Sequence, residues 1–113
     1  MLIEQRVKEF LDVEFAEDEI GVFLEIPKPL PATFVVFQLI ERGKENQIDA
    51  CTLEFRSYAP SKYEAAILDE KVREAMEKLN ETTDISARLG GGNDNPDTNF
   101  KRYRYRCYYN LFY

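Results

Sequence analysis

The last fourteen residues, Phe100 to Tyr113 (FKRYRYRCYYNLFY), hold 4 cations and no carboxylate, interleaved with tyrosines. Arg102, Arg104 and Arg106 stand at every second position, the period at which a β-strand presents one face. Such a row does electrostatic work, and three readings are open. A single-strand nucleic-acid platform needs exposed rings on which bases stack, but here three successive outward positions are arginine. A solvated row would simply balance nearby carboxylates. A protein interface would use two residue types enriched at contacts. Arg56 and Tyr58, outward on their own strand, repeat the mixture.

The other chemistry-bearing residues lack partners of recognisable spacing. The chain has no histidine, so histidine-based acid–base catalysis is excluded, and Ser57 and Ser61 have no such base to activate them. The carboxylate pairs Glu17 with Asp18 and Asp69 with Glu70 come without a nucleophile or an apolar pocket signal and read as solvated. Gly90 to Gly92 lack the Gly-Lys-Ser/Thr ending of a phosphate loop and read as a hairpin tip. Cys51 and Cys107, the only cysteines, fall at apolar-facing strand positions and read as buried free thiols, too few for a metal cage. No enzyme, metal or cofactor is expected.

The elements that must carry these residues follow from periodicity. Ile3, Val7, Phe10 and Leu11 mark one face of a first helix. Ile20, Val22, Leu24 and Ile26 alternate as a strand that the prolines of PKPLPAT stop; this stiff spacer runs from Pro27 to Thr33. TFVVFQLIE is apolar on both faces, which predicts a strand covered on both sides, either central in its sheet or covered by another subunit. RGKENQ reads as a turn, and Ile48 to Tyr58 as a second hairpin strand with Cys51, Leu53 and Phe55 inward. Ser61 and Glu64 form a capping-box pattern that opens a second helix. Its apolar stripe is Ala65, Leu68, Val72, Ala75, Met76 and Leu79. A short strand over Ile85 to Leu89, a loop over Gly90 to Asn99 and a closing strand from Phe100 complete the chain. In that strand Tyr103, Tyr105, Cys107, Tyr109 and Leu111 should face the core.

The order α-β-β-β-α-β-β predicts an α+β fold in a single domain over residues 1–113, with one mainly antiparallel sheet and both helices on one face. At 44% hydrophobic and 32% charged residues, the composition is that of an ordered chain. Its longest apolar run, Phe34 to Phe37, is far below the roughly 20 residues of a membrane span, and Glu4 and Arg6 interrupt any secretory leader, so a cytosolic start is expected. Residues 1–99 carry 11 Lys and Arg against 21 Asp and Glu, so an acidic body supports one basic terminal strand. Such a body repels a nucleic-acid backbone.

Two stretches, PATFVVFQLIERGKENQIDACTLEFRSYAPSKYEAAILDEKVREAM and FKRYRYRCYYNLF, resemble the small tail-terminator proteins of long-tailed bacteriophages and prophages, also described as minor capsid or head-tail joining proteins. The likeness is one of layout from about Val22 onward: a proline-framed apolar strand, a polar turn, a strand ending in Ser-Tyr-Ala, a Ser-capped acidic helix and a Tyr/Arg closing strand. The resemblance implies an α+β subunit, without enzymatic activity or cofactor, that forms a ring, typically hexameric, at the head-proximal end of the tail tube. The ring halts tube growth and meets the head connector, so the expected partners are further copies of the chain, the tube protein and a head-completion protein. DNA passes through without specific binding. Localisation would be the host cytoplasm during assembly and then the virion tail. Arg56, Tyr58, Arg102, Arg104 and Arg106 are the expected contact residues, with Lys44, Asn46, Gly91, Asn93 and Asp94 in loops that order on docking. The alternatives are a small nucleic-acid-binding module using the closing strand and a subunit of an unrelated host complex.

Overall fold

The computed structural model describes residues 2–18, 20–29, 31–45, 47–94 and 103–113. Along the chain run α1 (Ile3–Glu14), β1 (Gly21–Phe23), β2 (Phe34–Glu45), β3 (Ile48–Ala59), α2 (Lys62–Thr82), β4 (Ser86–Asp94) and β5 (Tyr103–Phe112), the order that periodicity predicts. The strands form one five-stranded sheet in the order β1-β2-β3-β5-β4. β1 runs parallel to β2 and the other neighbours pair antiparallel, so the α+β sheet is mixed.

Local chemistry accounts for α2. The Ser61 hydroxyl accepts a hydrogen bond from the Glu64 backbone N–H at 3.2 Å, satisfying one of the donors that a helix start leaves open. All six stripe residues are buried. They join Ile3, Val7 and Leu11 of α1 and the inward residues Val35, Phe37, Leu53, Phe55, Cys107 and Leu111 in one apolar cluster. Each large side chain fully buried there contributes about 1.5–3 kcal/mol. Register locks the sheet through cross-strand rings, Phe37 stacking on Phe55 at 5.2 Å between centroids. Both cysteines are buried free thiols.

A second, smaller cluster lies on the opposite face. Phe34, Val36 and Tyr58 are fully buried there, with Phe23 and Ile26 packed against them. Parallel pairing of β1 with β2 requires a return connection between the two strands, and Ile26, just past β1, packs on that face. From Phe34 to Phe37, β2 is therefore covered on both sides by its own chain, while most of the strand beyond is exposed.

Two segments expected as loops are strands. β2 continues through Arg42 to Glu45, with Lys44 paired to Asp49, so Lys44 stands in a strand and the turn shrinks toward Gln47, which adopts a positive φ of 67°. Gly90 to Asp94 belong to β4, whose backbone pairs with Tyr105 to Tyr108 of β5. Gly91 takes φ 144° beside the register shift, a conformation that favours glycine, so the glycine run makes a bulge in a strand rather than a free tip. Gly91, Asn93 and Asp94 are thus strand residues and not docking-loop residues. Asn46 lies outside the described residues.

Candidate interaction surface

Alternation along β3 puts Thr52, Glu54, Arg56 and Tyr58 on the face away from the helix-containing cluster. Antiparallel register sets Asn110, Tyr108, Arg106 and Arg104 of β5 opposite them in that order. Arg88 of β4, opposite Asn110, adds a fourth arginine to this face. Arg56 and Arg106 are direct cross-strand partners, an arrangement of like charges that repels.

Glu54 resolves the repulsion. Only 7% exposed, its carboxylate lies 3.4 Å from Arg56 Nε and 3.8 Å from Arg106 Nη1 and accepts a hydrogen bond from Gln38 Nε2 at 3.2 Å. A buried carboxylate thereby holds two half-buried guanidinium groups side by side, one negative charge among four arginines on this face. Arg104 donates to the Tyr58 hydroxyl at 3.2 Å and lies over its ring at 5.8 Å. Arg106 lies 5.8 Å from the Tyr108 ring centre and Arg88 5.9 Å from that of Phe112. The rings that would stack bases carry guanidinium groups instead.

Of the expected contact residues, the sheet brings Arg56, Arg104 and Arg106 together. Tyr58 sits on the predicted face but is a core residue: its ring stacks on Phe34 at 4.7 Å and 8°. It meets this surface through the Arg104 hydrogen bond. Arg102 lies outside the described residues. Alternation on β4 could have flagged Arg88, and the Glu54-Arg56 pair in the outward row of β3 was visible as opposite charges two residues apart.

Three assignments on the helix side also change. Asp69, expected to be solvated, is 5% exposed, its Oδ2 2.9 Å from Arg73 Nε. Burial raises its pKa against the opposing pull of the Arg73 charge and a hydrogen bond with Cys107. Burial and then the Asp69 charge push the Cys107 thiol up to about 12, and burial pushes the Tyr109 hydroxyl up to about 12. A thiol held protonated at neutral pH is no nucleophile, so this cluster ties α2 to β5 structurally. Tyr103 and Tyr105, expected in the core, are exposed and half-buried respectively. Tyr105 lines a surface groove with Tyr63, Ile67, Arg73 and Gly92 instead.

Among the described residues no helix is long and apolar enough to cross a membrane. No protein-family model and no curated protein matches the chain.

Proposed function

We propose that this chain is a structural subunit of a bacteriophage or prophage tail, a terminator that forms a ring at the head-proximal end of the tail tube, stops its growth and joins it to the head connector. The reading is supported most by one observation: an acidic domain carries a sheet face along which Arg56, Arg88, Arg104 and Arg106 stand, with Arg56 and Arg106 flanking the buried Glu54. A protein partner suits that surface, because fixed guanidinium groups backed by a carboxylate give directional contacts. The acidic remainder repels the backbone of DNA passing through the ring. On this reading the chain is not an enzyme, takes no cofactor, and works in the host cytoplasm during assembly and in the virion tail afterwards.

Nucleic-acid binding is the second reading, favoured by the clustering of four arginines on one sheet face. Against it stand the guanidinium groups lying over Tyr108 and Phe112. Light scattering on a sizing column, with electron microscopy of any large peak, tests the first reading. A closed ring is expected. A monomer that binds single-stranded DNA with an affinity falling steeply with salt would overturn it in favour of the second, since phosphate contacts release counterions.

A further inference from the structure

A closed ring needs two different complementary patches on each subunit. We propose that the second patch is the outward stripe of α2, and that the basic sheet face of one copy docks on that stripe of the next copy. This inference rests on the ring reading.

Glu70, Glu74, Glu77 and Glu81 recur at spacings of four, three and four, which places them on one stripe of α2. All four are exposed. The stripe lies opposite the buried one, so it points away from the sheet, while the arginine face lies on the other side of the sheet. Tyr63, 75% exposed, and Ile67, 40% exposed, continue the stripe toward the helix start. Each is a large apolar group left in water beside the acidic row.

Among the described residues no ion pair engages this row. On α2, Lys71 pairs with Asp18, Arg73 with Asp69 and Lys78 with Glu14, and none of the four glutamates enters an ion pair among the described residues. Like charges three and four apart on a helix repel, and the cations at the same spacing, Lys71, Arg73 and Lys78, are engaged by Asp18, Asp69 and Glu14, so a cationic neighbour would relieve the row. The matching surface is present on the same chain: four arginines along one sheet face, beside Tyr108 and Phe112. Acid with apolar edge on one side and base with aromatic edge on the other are complementary in sign and in character. Because the patches differ and lie on opposite sides, the contact is head-to-tail rather than two-fold, and it makes a ring when the rotation between copies closes and a filament when it does not.

The test is a charge swap. One variant carries Arg88→Glu and Arg104→Glu; a second carries Glu74→Lys and Glu81→Lys. Each should fold, by circular dichroism, yet remain monomeric at concentrations where the wild type assembles. An equimolar mixture should assemble, because the reversed sheet face meets the reversed helix and the two unaltered faces meet each other in alternation. Wild-type assembly should weaken by about tenfold or more as salt rises to about 1 M, where the Debye length is about 3 Å. Should a reversal fail to fold, Arg88→Gln against Glu74→Gln with Glu81→Gln carries the same comparison, each weakening assembly by about tenfold. If the wild type forms rings and the mixture does not, this pairing of faces is overturned while the ring reading stands. If the wild type stays monomeric at all salts and concentrations, a second copy as occupant is overturned. The effect of that monomer on tube length then decides the ring reading separately.

Discussion

At the scale of single residues, Glu54 decides whether the basic face can exist. Arg56 and Arg106 oppose each other across the β3–β5 ladder, and the carboxylate between them lies 3.4 and 3.8 Å from the two guanidinium groups. Glu54→Gln keeps the size and one acceptor for Gln38 but removes the charge. Full burial of all three groups would make the loss severe, but the arginine side chains are 20% and 30% exposed, so water screens part of it. A destabilisation of about 1–2 kcal/mol is expected, read as a lower urea midpoint at unchanged slope. An unchanged midpoint would contradict the role given to Glu54. Tyr58 teaches the complementary lesson. Alternation assigned its face correctly, yet no local pattern shows that Phe23 and Ile26 pack over that face and cover it.

At the scale of elements, legibility followed locality. The Ser61 cap, the buried stripe of α2 and the inward row of β3 are short-range patterns, and the structure reproduces them. What escaped depends on distant pairing. Gly90 to Asp94 have a loop composition, but β5 supplies hydrogen-bond partners that make them a strand, with Gly91 absorbing the bulge. Asp69 looked like a surface carboxylate because its burial is compensated by Arg73 and Cys107, one of which lies on another element. The outward stripe of α2 makes a prediction at this scale. Like-charged neighbours cost about 0.2–0.5 kcal/mol each on a helix, so Glu74→Gln with Glu81→Gln should raise the subunit's thermal midpoint by about 2–5 °C. A lowered midpoint would mean that the glutamates have intramolecular partners and would remove the argument that the row awaits a neighbour.

At the scale of the whole molecule, charge is sorted by side. The net charge of −6 conceals a sheet face with four arginines and a helix face with four exposed glutamates that enter no ion pair among the described residues, on opposite sides of the sheet. On the proposed reading such sorting favours self-association in one orientation over binding to a polyanion, and gives the terminal Arg/Tyr strand its part in assembly. The fold class was legible from element order alone. The pairing of charged faces was not, because it requires knowing which side of the sheet the helices cover. The central claim is that the assembled chain ends a tail tube. Its most direct test is to polymerise the cognate tube protein with and without this protein and measure tube lengths by electron microscopy. The account predicts capped tubes, shorter and narrower in length distribution, bearing a ring of extra density at one end. Tubes of unchanged length with bare ends at saturating protein would contradict it.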